Sequence, residues 1–177
     1  MNDVFPHLAM KPRVSPQAFL APGTSVVGDV VIEEEASIWY GSVLRGDVGA
    51  IRVGTGSNIQ DLCLLHVSTG GPPCEVGAWC TVGHGVILHS CRLEDHAFVG
   101  FGARVLDGAR VCSHGVLGAG AVLAPGKIIG ERELWLGNPA KFIRKLSDEE
   151  VLKYSVVARR YAELKQQYLS AAPHVTC

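Results

Sequence analysis

Residues 93–123 read LEDHAFVGFGARVLDGARVCSHGVLGAGAVL, and a branched apolar residue recurs at every sixth position of this stretch. Four residues after each of the first five comes a small side chain, alanine or glycine. A period of six does not match the 3.6-residue repeat of an α-helix. Short strands fit it, because valine and isoleucine favour a pleated, half-buried surface. The stretch therefore predicts a series of short strands, one in each hexad.

The same repeat extends over most of the chain. Its register shifts at Arg45-Gly46-Asp47, at the segment Val67–Glu75 and by one residue before Leu93. Three hexads close one triangular turn, and successive turns stack at the strand spacing of about 4.8 Å. Turn signals at the spacing of a β-sandwich are absent. We therefore predict a mainly β fold, a parallel β-helix of about six turns, whose handedness the spacing does not determine. The eighteen apolar positions are Val14, Leu20, Val26, Ile32, Ile38, Leu44, Val53, Ile59, Leu65, Val76, Val82, Leu88, Leu93, Val99, Val105, Val111, Leu117 and Leu123.

The composition changes after the repeats. We assign residues 1–135 to the β-helix domain with its lead-in, 136–146 to a connecting segment, 147–170 to an α-helix packed on the β-helix, and 171–177 to a flexible tail. Ser147 and Glu150 form a capping box at the start of the helix. Apolar residues then follow at the spacing of one helical stripe: Val151, Tyr154, Ala158, Tyr161, Leu164 and Tyr168.

Charge and composition restrict the partners. The 16 basic and 17 acidic residues nearly balance, which argues against a nucleic-acid surface. No apolar run approaches the roughly 18 residues that cross a bilayer, so we expect no membrane partner. The first residues lack a basic start and an apolar core, and the six cysteines are scattered without a Cys-x-x-Cys pair. We therefore expect reduced thiols and a cytoplasmic location.

Three histidines occupy defined places in the repeat. His66 and His89 are each the second residue of a hexad and lie one full turn apart, so they should stack on one face. His84 is the third residue of the preceding hexad and should project elsewhere. A cyclic trimer would bring His84 of one chain to His66 and His89 of its neighbour. Three imidazoles with an open fourth position are typical of a catalytic zinc site. The alternative is that all three are surface histidines, as we expect for the remaining four.

Several motifs resemble those of the γ-class carbonic anhydrases: Arg45-Gly46-Asp47, Asn58-Ile59-Gln60-Asp61, Leu65-His66, Val82-Gly83-His84, Leu88-His89, Val105-Leu106-Asp107-Gly108-Ala109 and Leu136-Gly137-Asn138-Pro139-Ala140-Lys141. The resemblance covers about residues 10–168. It implies a left-handed β-helix, a homotrimer and one divalent metal per interface site, zinc first, with iron or cobalt as alternatives. It also implies reversible hydration of CO2 to bicarbonate by a metal-bound hydroxide.

The same resemblance implies roles for further residues. Arg45, Asp47 and Asp61 look like the charge network that ties the subunits together. Gln60 looks like the amide that orients the metal-bound water or bicarbonate, and Tyr161 aligns with a tyrosine that lines the site. From the residues alone, a surface salt bridge between Arg45 and Asp47, a turn role for Gln60 and a core position for Tyr161 remain open.

One feature of that family is missing from the sequence. The acidic loop with its glutamate proton shuttle has no counterpart, since Val67–Glu75 is short and Glu75 is its only acid. A catalytically weak or inactive metal-binding scaffold or assembly subunit therefore stays open as an alternative. A hexapeptide acyltransferase is another alternative, in which a single histidine would act as general base on an acyl-CoA.

Overall fold

Nineteen short strands and one α-helix make up the part of the chain that this computed structural model describes, namely Phe5 and residues 7–171. The strands are β1 Arg13–Val14, β2 Phe19–Leu20, β3 Ser25–Ile32, β4 Ser37–Ile38, β5 Val43–Val53, β6 Asn58–Ile59, β7 Leu64–His66, β8 Cys74–Val76, β9 Thr81–Val82, β10 Ile87–His89, β11 Arg92–Leu93, β12 Phe98–Val99, β13 Arg104–Val105, β14 Arg110–Val111, β15 Val116–Leu117, β16 Val122–Leu123, β17 Ile128–Ile129, β18 Glu133–Leu136 and β19 Lys141–Lys145. Helix α1 is Asp148–Ala171.

The strands stack in three columns that form the faces of a prism. One column, the helix face, runs from β2 through β4, β6, β9, β12 and β15 to β18. A second, the histidine face, contains β5, β7, β10, β13 and β16, and the third contains β8, β11, β14 and β17. Apart from the antiparallel pair β18–β19, neighbours within these columns run parallel. The predicted parallel β-helix with a C-terminal helix is therefore confirmed.

The repeat positions form the core of the prism. Fifteen of the eighteen apolar residues are buried, and the other three belong to the first turn, below which the described residues form no further layer. Leu20, for example, is 38% exposed although it pairs in register with the buried Ile38. Each fully buried branched side chain stabilises the fold by roughly 1.5–3 kcal/mol. The core is thus one continuous column of stacked aliphatic layers.

The solenoid has about seven turns, one more than the sequence predicts. Ile129 is fully buried and continues the six-residue series beyond Leu123. Trp135 pairs in register with Leu117 and packs against the same core. The predicted series stopped too early because Lys127 occupies the position where a small residue was expected. Lys127 lies at an exposed corner, where the core places no limit on its size.

Two long strands carry the chain around a corner of the prism. β3 pairs with β5 along both of the faces they share, with an irregularity between Gly28 and Val30. Gly28 has a positive φ of 78°, and a Cβ added there would lie 2.2 Å from the carbonyl oxygen of Gly46. Only glycine fits that approach. The register shift at Arg45-Gly46-Asp47 is therefore a bend within β5, which places its charged residues beside the histidine face.

Helix α1 packs along the helix face, as predicted. The Ser147 amide donates to Glu150 Oε2 at 3.0 Å and the Glu150 amide donates to Ser147 Oγ at 3.2 Å, which confirms the capping box. Tyr161 lies edge-on to Trp39, with ring centroids 5.3 Å apart. The Lys165 ammonium is fully buried and contacts Glu35 at 2.8 Å and the Gln17 carbonyl at 2.5 Å.

The segment before the helix contains regular structure. Residues 136–146, expected as a connecting segment, include β19, which runs antiparallel to β18 and extends the helix face. Of the expected flexible tail, residues 172–177 lie outside the part of the chain described. Within that described part, α1 is not apolar enough to cross a membrane.

Candidate metal centre

His66 and His89 end two neighbouring strands of the histidine face. β7 and β10 are paired in parallel, with His89 directly opposite His66. Both residues follow a buried leucine of the core, so their side chains project outward from the same corner. Nδ1 of His66 lies 3.1 Å from Nε2 of His89. The two imidazoles are thus adjacent, as the one-turn spacing in the sequence predicts.

The outer nitrogen of each ring contacts a carboxylate. Nε2 of His66 is 3.1 Å from Oδ1 of Asp47, and Nδ1 of His89 is 2.6 Å from Oδ1 of Asp107. A carboxylate accepts a hydrogen bond from the ring N–H that it faces, which leaves the lone pair of a neutral imidazole on the other nitrogen. Both lone pairs then point into the same space between the rings.

That space has the dimensions of half a tetrahedral metal site. Two Zn–N bonds of about 2.05 Å at the tetrahedral angle place the nitrogens about 3.3 Å apart. The observed separation of 3.1 Å is close to this value. Burial lowers the pKa of His66 despite the neighbouring carboxylate of Asp47, which favours the neutral form that metals bind. The donor set therefore fits a divalent metal such as zinc.

The third histidine occupies a different corner. His84 follows β9, in the turn between the helix face and the histidine face, and its side chain is 46% exposed. Its Nδ1 lies 2.8 Å from Oδ2 of Asp61, and its ring is tilted against that of Phe101, with the ring centroids 5.0 Å apart. Among residues 7–171, no group of three or more His, Cys, Asp or Glu side chains comes together as a metal site. One chain thus brings together two of the three predicted ligands.

The predicted charge network forms contacts within one chain. Nη1 of Arg45 lies 2.6 Å from Oδ2 of Asp47, whose other oxygen faces His66. Burial opposes ionisation of Asp47, but the hydrogen bonds from Arg45 and His66 outweigh it and hold its pKa below the usual value. Asp61 contacts His84 and not this pair. A role of Arg45, Asp47 and Asp61 between subunits remains a prediction.

Gln60 is held in a defined orientation near the His84 corner. Its side chain is buried, and its Nε2 donates to Oδ1 of Asn58 at 3.0 Å. Asn58 in turn donates to Oγ1 of Thr81. Oε1 of Gln60 is buried and has no hydrogen-bond partner among the described residues. A buried amide oxygen without a partner is costly, so this atom is suited to receive a ligand.

Tyr161 of α1 packs against the cluster of Phe19 and Trp39, and its ring contacts that of Trp39 edge-on. Burial raises the pKa of its phenol, and the negative charge of Asp61 raises it further. The residue therefore belongs to packing and also lies near the carboxylate that contacts His84. Its predicted role in lining the site is neither supported nor contradicted by these contacts.

Sequence reasoning missed Asp107 and Ser68. Oγ of Ser68 donates to Oδ2 of Asp107 at 2.6 Å, while Oδ1 faces His89. The sequence motif around Asp107 could have drawn attention to this residue, but no role was assigned to it. From the sequence we expect His96 and His114 to be surface histidines, with no contact between them. Their rings stack in parallel at 4.7 Å, because eighteen residues make one turn.

Two curated relatives match most of this chain. Gamma carbonic anhydrase 1, mitochondrial, from Arabidopsis thaliana is 46% identical over 162 residues, which are 89% of this chain and 59% of the relative. The chain thus spans less than two thirds of the plant protein. The carbonic anhydrase of Geobacillus kaustophilus is 39% identical over 93% of this chain and 90% of its own length. The second match spans nearly the whole of both proteins.

A solved structure supports the hexapeptide-repeat fold. The crystal structure of a hexapeptide transferase family protein from Anaplasma phagocytophilum has a TM-score of 0.85 and 44% identity, over 89% of this chain and 92% of that one. No protein-family model matches the chain. Identity above one third over almost the full length, together with the histidine pair on a parallel β solenoid, shows that the chain belongs to the γ-class carbonic anhydrase family.

Proposed function

We propose that the protein is a γ-type carbonic anhydrase-like metalloenzyme that interconverts CO2 and bicarbonate as a homotrimer. His66 and His89 of one subunit and His84 of the next would hold one divalent metal at each interface, with zinc as the first candidate. The observation that carries the proposal is the pair of facing imidazole nitrogens, 3.1 Å apart, each with its other nitrogen on a carboxylate.

The exposed position of His84 supports the shared site. Its Nδ1 is engaged by Asp61, so its Nε2 is free to bind a metal outside its own chain. The metal supplies Lewis-acid chemistry that makes water nucleophilic near neutral pH. A site built in this way needs the neighbouring subunit, because one chain provides only two adjacent imidazoles.

Gln60 is suited to hold the substrate or product. Its Nε2 is used by Asn58, which fixes the amide plane and leaves Oε1 to accept a hydrogen bond from water or bicarbonate. Arg45 and Asp47 would complete the site, with Asp47 orienting His66 and Arg45 holding Asp47 ionised. Asp61 orients His84 in the same manner.

The test is stopped-flow CO2 hydration at pH 7.5–8.5, with metal content and mass measured on the same samples. Zinc-loaded protein and anaerobically iron-loaded protein should hydrate CO2 at one metal per subunit, and His84→Ala should lose both metal and turnover. His96→Ala, which removes a histidine at another corner, should retain both. Full turnover in His84→Ala would refute the proposal.

A metal-binding scaffold without turnover is the second candidate, and one contact favours it. Glu75 is the only acid of the short segment Val67–Glu75, and its Oε2 lies 3.4 Å from Nη1 of Arg92. This ion pair engages the Glu75 carboxylate with Arg92, so it is not free to act as a proton shuttle. One metal per subunit without CO2 hydration in the same experiment would assign the protein to this class.

A further inference from the structure

Asp107 joins two parts of the chain at the outer side of His89. It lies in the turn after β13, one turn of the solenoid beyond β10. One carboxylate oxygen is 2.6 Å from Nδ1 of His89, and the other accepts a hydrogen bond from the hydroxyl of Ser68 at 2.6 Å. Both oxygens are therefore engaged, and the carboxylate cannot rotate freely.

Ser90 holds both of these groups in place. The amide of Ser68 donates to Oγ of Ser90 at 2.8 Å, and the amide of Gly108 donates to the Ser90 carbonyl at 2.7 Å. Ser90 is completely buried and follows His89 directly in the chain. The residue next to the histidine thus anchors the serine and the turn that carries the aspartate.

This connection determines which nitrogen of His89 can bind a metal. Because Asp107 accepts a hydrogen bond at Nδ1, the lone pair must lie on Nε2, the nitrogen that faces His66. Without Asp107, the ring could place its proton on either nitrogen and could rotate away. Asp47 acts in the same way on His66 at 3.1 Å. The two carboxylates thus orient the pair from opposite sides.

The order of these contacts also excludes a serine nucleophile triad formed by Ser68, His89 and Asp107. In a serine nucleophile triad the hydroxyl must contact the imidazole that removes its proton. Here the hydroxyl of Ser68 contacts the carboxylate of Asp107, and the carboxylate contacts His89. The serine therefore supports the aspartate and has no base to activate it.

We propose that Asp107, held by Ser68, is a positioning residue that fixes the tautomer and ring orientation of His89 for metal binding. The inference rests on the proposed metal site and adds to it a residue from a different turn of the solenoid. It also assigns a structural role to the short segment after β7, because Ser68 belongs to that segment.

Zinc affinity measured by competition with a chromogenic chelator tests this role. Asp107→Ala should weaken zinc binding by about 10–100-fold. Asp107→Asn keeps an acceptor at the same place without the charge and should weaken it less. Ser68→Ala should weaken zinc binding by a few-fold. Cobalt-loaded Asp107→Ala should also show an altered visible absorption spectrum, because the coordination geometry changes.

Asp95 provides the matched control. Its Oδ1 accepts the amide of Ala78 at 2.8 Å in a turn of the same solenoid, away from the three histidines. Asp95→Ala should lower thermal stability while leaving zinc affinity within two-fold. If Asp107→Ala and wild type bind zinc equally, the positioning role is refuted and the proposed function stands. If wild type itself binds no zinc, iron or cobalt, both fail.

Discussion

The division of ligands between two corners predicts complementation between inactive chains. His66→Ala removes one of the two adjacent imidazoles, and His84→Ala removes the imidazole at the other corner. A homotrimer of either variant should hold no metal at its interfaces. In a mixed trimer, an intact His66–His89 pair of one chain can meet an intact His84 of its neighbour, so part of the metal binding should return.

The size of the recovery follows from the geometry of a cyclic trimer. At each interface, the subunit that offers the adjacent pair is intact at His66 in about half of all cases, and the next subunit is intact at His84 in about half. Random equimolar mixing should therefore restore about one quarter of the wild-type sites. Neither variant changes a core residue, so we expect both chains to remain folded.

The two chains are unfolded in urea, mixed, and refolded together without metal. The refolded protein is then loaded with zinc, and unbound zinc is removed. Metal content and CO2 hydration should both reach about one quarter of refolded wild type. A mixture of His66→Ala with His89→Ala is the control. Both defects lie on the same side of the interface, so no trimer contains an intact adjacent pair and recovery should be zero.

Two outcomes would contradict the shared-site reasoning. If the His66→Ala and His84→Ala mixture stays without metal while refolded wild type binds it, the three histidines do not meet across an interface. If the control mixture recovers as well as the test mixture, His66 and His89 do not act as one pair, despite their contact at 3.1 Å.

Two further predictions concern stability. The hydrogen bond from Arg144, together with that from the Ser147 amide, lowers the pKa of Glu150 to about 2. A folded-state pKa below the unfolded value of about 4.5 contributes stability that is present above pH 4.5 and disappears toward pH 2. The difference in unfolding free energy between wild type and Glu150→Gln, measured by urea unfolding, should therefore shrink over that range. Glu149→Gln is the control, and a difference independent of pH would contradict this prediction. Glu35→Gln leaves the buried Lys165 ammonium without its carboxylate and should lower the free energy of unfolding, measured in urea, by about 1–3 kcal/mol. Combining it with Lys165→Met should recover most of that loss. Equal losses in the single and double variants would refute the pairing.

The sequence predicts the core and the histidine pair because both depend on strict periodicity. An inward side chain must recur every six residues, and a residue stacked above another must recur after one turn. His66 and His89 satisfy that rule even across the shift at Val67–Glu75, and the structure places them opposite each other. The ends of the prism do not follow the rule. Among the described residues no layer lies below the first turn, and Lys127 lies at an exposed corner.

Two of the three carboxylates around the histidines could not be predicted in this way. Asp47 comes from a bend within β5, and Asp107 comes from the turn after β13. Both reach their histidines through side-chain length and turn geometry, which have no fixed period. Asp61 differs, because it precedes His84 by the same one-turn spacing that separates His66 from His89. The orientation of the Gln60 amide likewise depends on Asn58 and Thr81, which lie on adjacent strands.

A common design connects these separate contacts. Each of the three histidines contacts a different aspartate through one nitrogen, at 3.1 Å for His66, 2.8 Å for His84 and 2.6 Å for His89. In the proposed site, each ring is therefore oriented within its own chain before the subunits meet. Assembly then has to align two preformed halves, and does not have to order three independent side chains, which lowers the entropic cost of completing the site. The rigid solenoid is suited to this purpose, because the spacing between its corners is set by the buried aliphatic core and not by flexible loops.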